Sequence, residues 1–470
     1  MKRARIFALA SALMAAGSSV GVAQEMEMVG PMPPQAMMGR GPMMGGGPMM
    51  GAPAMNASYG AMQPAVDQAA IAYGGAYDPS CGDYGGYGTG YGMAGGEDEL
   101  WNKVHRPNRW YFGINYTGLR MKGMFVPELA TTSPAGTAQA VAGRLPDATV
   151  LIGNEKLGSD WRHGGEVRLG WWLVDGQFVG LEGFFLATET EETSETLTST
   201  FTTGTSGFIL ARPYFDLLAN AEDARILAFD NFNNGQATVD LDGAITVDSF
   251  SDFQSGGIML RHVLWADFER NTRLDLIGGY RYLRVEELLS IRDRQLTPPF
   301  GLVGAVLDER TDLFETENQF HGGEIGLDAQ LYEDAWTFQL VGKCGFGNMH
   351  QTLDIDGSRT VTSGGASVTT PGGLLAQPSN IGHYSDDEFT IVPEAQVRVQ
   401  YSFFENFRVF AGYRMLYITE VLRPGDQIDR TINETQFNGG ALTGAARPTV
   451  NFASGSAWLQ GVDAGIEIEW

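Results

Sequence analysis

The final fourteen residues, AWLQGVDAGIEIEW from Ala457 to Trp470, constrain the fold more than any other stretch. Taken in twos from the end, Trp470, Ile468, Ile466, Ala464 and Val462 alternate with Glu469, Glu467, Gly465, Asp463 and Gly461. A strand turns successive side chains to opposite faces, so one face here is apolar and the other is acidic or glycine. An apolar face for lipid, a polar face for a lumen and a last aromatic form the pattern of a closing strand in an outer-membrane β-barrel.

The other end of the chain agrees. Lys2, Arg3 and Arg5 form a basic region, Ile6 to Ala16 an apolar run, and Gly21 and Ala23 the small residues before a cleavage site. Residues 1–23 therefore read as a signal peptide. The apolar run is too short for a helical span, and no cysteine follows for lipidation. No later segment is continuously apolar over a helical span, so membrane residence requires a barrel. The expected location is the bacterial outer membrane, with its lipid and the barrel assembly machinery as partners. A net charge of −25 argues against nucleic acid. Cys81 and Cys344 lie in unrelated contexts and read as free thiols rather than a disulfide.

Residues 24–100 are low in complexity, with runs such as MMGRGPMMGGGPMMGAPAM. Such a segment buries too little apolar surface to offset backbone ordering and reads as a disordered periplasmic linker. Contact with the cell wall is its expected role. Met37, Met38, Met43, Met44, Met49 and Met50 are soft ligands suited to Cu(I), but no His or Cys is interleaved, and the tether reading prevails.

From Trp101 the period becomes two, and residues 101–470 read as an all-β, antiparallel up-and-down barrel of about ten strands. Twelve are possible if 119–164 and 188–256 hide hairpins. The segment EFTIVPEAQVRVQYSFF is the clearest: Phe389, Ile391, Ala395, Val397, Val399, Tyr401 and Phe403 oppose Thr390, Glu394, Gln396, Arg398 and Gln400. Tight turns are expected at Asp175-Gly176, Arg270-Asn271, Glu333-Asp334 and Glu405-Asn406. Between them, 119–164, 188–256, 286–322, 348–387 and 419–456 read as long acidic loops. Short periplasmic turns alternating with long external loops are the barrel arrangement. Aromatics supply two boundary rows, with Trp110, Phe268, Trp336, Phe403, Phe407 and Trp470 at the short-turn ends. Tyr116, Tyr282, Phe346, Phe389, Tyr417 and Trp458 fall near the loops.

Residues 149–173, 407–433 and 456–470 resemble the β-barrel porin type 7 family of double-membraned bacteria, the second stretch most specifically. The resemblance implies an outer-membrane barrel of unassigned function. Where that family ends in phenylalanine this chain has Trp470, expected to serve as the terminal aromatic read during assembly.

Catalytic chemistry has little support. His350 near Asp354 and Asp356, and His383 near Asp386, Asp387 and Glu388, are the Asp/His sets that a barrel hydrolase would use to activate water. Chance placement in acidic loops is the more economical account. Asp354-Ile355-Asp356-Gly357 opens like a calcium loop, but Gly365 stands where the twelfth-position glutamate belongs. Arg423-Pro424-Gly425-Asp426 reads as a turn. No catalytic, cofactor or metal residue is expected. The lumen-lining candidates are Glu166, Arg168, Glu182, Arg261, Arg273, Asp275, Arg281, Asp328, Lys343, Glu394, Arg398, Arg408, Arg414, Asp463 and Glu467. Opposite charges in so small a barrel would pair and largely plug it. The expected function is non-enzymatic: envelope structure or a narrow porin-like channel. A surface adhesin or receptor is the alternative.

Overall fold

The structure, a computed structural model, describes residues 108–174, 177–202, 207–300 and 303–470. The expected signal peptide, the whole linker segment 24–100, Cys81 and the Asp175-Gly176 turn lie outside the described residues. Alternation governs the rest: nineteen strands and three short 3-10 turns, with no α-helix among the described residues.

Within a sheet of seventeen strands, ten make one consecutively paired series, called the wall below: β1 (Trp110–Met121), β2 (Trp161–Trp172), β3 (Val179–Thr188), β4 (Thr238–Asp267), β5 (Thr272–Thr297), β6 (Val306–Glu333), β7 (Trp336–Ser363), β8 (Gly382–Phe404), β9 (Phe407–Leu422) and β10 (Ser454–Glu469). Each pairs antiparallel with the next. β10 also pairs with β1, so that Ile114 stands opposite Val167 on one side and Ile466 on the other. Positive φ at Asn271 (51°) and Asp334 (53°) makes two of the short turns.

The expected long loops require correction. β4 to β7 run for 30, 26, 28 and 28 residues, so most of 286–322 is continuous strand, as is 348–363. The alternation does not stop at the outer boundary; its polarity inverts. On β5 the less buried face carries Leu274, Leu276, Tyr280 and Tyr282, then Arg284, Glu286, Leu288, Ser290 and Arg292. The buried face carries Arg273, Asp275, Ile277 and Arg281, then Leu283, Val285, Glu287, Leu289 and Ile291, so the upper half is mainly apolar. β6 does the same, with Ile325 and Leu327 giving way to Glu317 and Glu315 outside, and Asp328 and Glu324 to Phe320 and Phe314 inside. Below the inversion lipid lies outside; above it water does, and the apolar side chains turn inward. A reading that follows the apolar outer face ends each strand where the sign changes.

Of the remaining connections, Glu191–Ser199 extends the sheet beside β4 and Ala366–Pro371 beside β7, and others pack into a buried core with the upper wall. Met124, Val126, Leu129, Ile152, Leu210, Leu375 and Ile432 join Ile245, Leu289, Phe314 and Ile355 from the wall in one apolar core. Arg423-Pro424-Gly425-Asp426 opens a 3-10 turn, and it is buried rather than a surface turn. A Cβ at Gly425 would lie 1.8 Å from the Phe125 carbonyl oxygen, so only glycine fits there. The calcium-loop reading of Asp354 to Gly357 also fails. This stretch lies within β7, with Ile355 in the core, and an extended strand does not curl around an ion.

Aromatic rows mark both boundaries. At the short-turn end Trp110 stacks on Trp171 at 5.2 Å, and Trp336 meets Tyr401 at 4.8 Å. Phe268, expected in that row, packs on buried Tyr332. At the outer boundary Tyr116, Phe346 and Phe389 are exposed, and Tyr280 shares a 2.6 Å hydrogen bond with His321. Tyr116 is likewise bonded to His163.

Val397 lies opposite Leu340 and Tyr413 on the lipid-side face of β8. Val397→Arg is expected to cost about 2–4 kcal/mol near mid-membrane. Gln396→Arg is no neutral control, because the amide already sits between Arg398 and Arg414. Ser385, exposed above the boundary on the same strand, is the better one, with Arg there changing stability by less than about 0.5 kcal/mol. Denaturant unfolding in vesicles compares the two; equal losses would refute the inversion.

Candidate functional site

The charged residues of the lower inner face come together as one network. Arg261 reaches Asp275 at 2.9 Å, Asp328 at 2.5 Å and Glu182 at 3.5 Å. Arg273 holds the other oxygen of Asp275 at 2.7 Å, and the Tyr111 hydroxyl donates to Glu182 at 2.5 Å. Glu166 accepts from Arg168 at 2.6 Å and Arg414 at 2.5 Å. Glu394 and Glu324 share Arg281 and Lys343: Arg281 is 2.7 Å from Glu324 and hydrogen-bonded to Glu394, and Lys343 is 3.2 Å and 3.3 Å from the two. Arg398 approaches Asp463 at 3.4 Å, while Arg408 reaches Glu467 at 2.8 Å and also pairs with Glu469.

Every residue expected from the sequence to line the lumen is thus buried or nearly so and has an ionic partner. Tyr111 was missed, while Glu324 and Glu469 fall on the polar faces that the alternation predicts but were not among the lining candidates. The signal was available for the two glutamates, since Glu324 is four residues from Asp328 and Glu469 two from Glu467, each on the same face. Rings lie among the cations: Phe410 stands 4.2 Å from Arg398, and Phe184 5.1 Å from the Lys343 ammonium.

Above the charges lies an apolar layer. Leu119, Met121, Leu186, Phe253, Leu283, Val285, Phe320, Met349, Val392, Leu416, Ile418, Val421, Ala457 and Leu459 form one buried cluster. Every wall strand except β2 contributes to it. Phe320 lies over its own strand, so that a Cβ at Gly322 would come within 2.5 Å of its ring. Further out, Arg423 pairs with Glu287 at 2.5 Å and donates to the Lys122 carbonyl at 2.7 Å. The layer separates a cavity of about 60 Å³ at the short-turn end from a recess of about 720 Å³ at the other.

The upper charges have their own arrangement. Arg212 is paired with Asp293 and Asp312, both at 2.7 Å, and those carboxylates hold its guanidinium more firmly protonated than usual despite burial. Asp308 accepts two hydrogen bonds from Arg359 at 2.9 Å, which with Arg225 keep its carboxyl below the usual range against the effect of burial. Asp216, Asp223 and Glu434 bring carboxylate oxygens within 4.8 Å of one another, the arrangement most suited to a cation among the described residues. All three already have protein partners: Asp216 accepts from the Leu218 amide, Asp223 from Arg144 and Glu434 from the Tyr214 hydroxyl.

The Asp/His sets exchange partners. His350 pairs with Asp387 at 3.0 Å and His383 with Asp354 at 2.7 Å, across β7 and β8 rather than along them. Asn348 and His350 hold the Asp387 carboxyl below its usual range. The two pairs are four residues apart along exposed strands, roughly 13 Å, and do not converge on one water.

An apolar outer band between two aromatic rows, on an antiparallel sheet with a charged inner face, defines an outer-membrane β-barrel protein. The chain belongs to the beta barrel porin-7 (BBP7) family, whose model matches residues 111–470. Similar solved structures include the outer membrane protease OmpT of Escherichia coli, at 11% identity, 77% of this chain, 97% of that chain and a TM-score of 0.34. A FadL homologue of Pseudomonas aeruginosa matches at 9% identity, 78% and 91% coverage and a TM-score of 0.21. The toluene transporter TodX of P. putida matches at 7% identity, 78% and 91% coverage and 0.17. No curated protein sequence matches the chain.

Proposed function

We propose that the ten mutually paired strands close into a transmembrane barrel that serves as a structural, non-conducting element of the outer membrane. In this reading the chain is not an enzyme. Its signal peptide, 1–23, is removed, Trp470 is read by the assembly machinery, outer-membrane lipid covers the apolar band, and 24–100 tethers the barrel towards the cell wall.

The observation that carries the reading is the apolar layer contributed by nine of the ten wall strands. Water and ions cross a pore through hydrated groups, and an unpaired charge in an apolar layer is too costly to pass at a useful rate. Small barrels have interiors that side chains can fill, and the ion pairs below and the apolar groups above support a filled interior. A porin-like channel would need a continuous polar path where Leu283, Phe320 and Val392 meet. In liposome swelling with a small sugar such as arabinose, vesicles carrying the folded protein should swell no faster than empty ones. Swelling that scales with protein content would overturn the proposal.

A further inference from the structure

We propose that the recess at the outer end of the barrel binds a small organic anion, its carboxylate held by Arg310 and its apolar body resting on Phe437, Phe232 and Ile226. The recess, about 720 Å³, has the size of an ordinary small-molecule site.

Arg310 lines it and is 7% exposed, yet its guanidinium makes no side-chain hydrogen bond among the described residues, and its Nε is buried without an acceptor. Its one ionic contact is Nε to Asp308 at 3.9 Å. That carboxylate is already taken by Arg359 and by Arg225 at 3.3 Å. Arg212, buried still more deeply, has two carboxylates of its own. A buried guanidinium without an acceptor is the exception in folded proteins, because desolvation is then uncompensated. Burial and the neighbouring Arg225 push Arg310 down to about 10, so it stays charged at neutral pH and an anion would relieve it.

The other polar groups of the recess are engaged within the protein. Asp223 pairs with Arg144 at 3.0 Å, Gln295 donates to the Ile226 carbonyl at 3.0 Å, and Gln139 to the Asn233 carbonyl at 3.1 Å. Arg310 remains the unmatched charge. The Phe437 ring lies 5.2 Å from its guanidinium carbon, so an anion reaching Arg310 would also meet an aromatic wall. That wall favours an organic anion over inorganic sulfate or phosphate, which would leave most of the recess empty.

Isothermal titration calorimetry on the full chain, folded in detergent, tests this with benzoate as the probe and sulfate and benzyl alcohol as controls. Benzoate should bind saturably at one site, with both controls at least tenfold weaker. Arg310→Met should weaken benzoate at least tenfold, with Arg310→Lys in between; heat-modifiable gel mobility checks that each variant folds. Should Arg310→Met fail to fold, Phe437→Ala carries the test and should weaken benzoate severalfold. Absence of saturable benzoate binding, equal binding of either control, or unchanged affinity in the folded variant used would each overturn the proposal.

Discussion

Glu394→Gln should destabilise the barrel by about 3–5 kcal/mol, the loss expected when one partner of a buried ion pair is removed. Glu394 is 6% exposed and serves three cations: Arg281 by hydrogen bond, Lys343 at 3.3 Å and Arg414 at 3.8 Å. With an amide in its place, Arg281 and Lys343 have only Glu324 left between them. Charge imbalance rather than lost packing would be the cause, since glutamine keeps the volume. Adding Lys343→Met should therefore recover part of the loss, a coupling that independent sites would not show. Chemical unfolding in lipid vesicles, followed by tryptophan fluorescence, reads both values. A loss below about 1 kcal/mol, or a double variant no more stable than the single one, would contradict the network.

Phe320→Ala should cost a similar amount, about 3–5 kcal/mol, through the cavity it opens in the apolar layer. Its ring is fully buried and lies 3.4 Å from where a Cβ on Gly345 would sit, so little nearby can move into the gap. Phe346→Ala removes the same side chain from the neighbouring strand. That ring is 45% exposed on the lipid side, where acyl chains fill the space, and about 1 kcal/mol is expected. Unfolding under identical conditions compares the pair. Equal losses would mean that the interior around Phe320 is wet or loosely packed.

Much of this was readable from alternation alone. The terminal strand, the turns at Asn271 and Asp334, the boundary aromatics and the inward charges all follow from period two together with where apolar residues must face. The upper half of the wall was not, because a lipid-facing pattern is only half of the rule. Above Tyr282 the same strand must reverse its faces, and Leu289 and Ile291 look like polar-loop residues until the wall below them is known. The His350–Asp387 and His383–Asp354 pairs depend on register between strands, which proximity in sequence does not report. Arg310 and Phe437 are far apart in the chain, within no motif, and only the folded head brings them to one recess.

Single-channel recording in planar lipid bilayers tests the central claim most directly. The folded protein, with insertion verified independently, should give no steady conductance at moderate voltage if, as proposed, the layer around Phe253, Phe320 and Met349 denies ions a hydrated route. Uniform, long-lived open steps from the unmodified chain would contradict the plugged barrel and restore the channel reading.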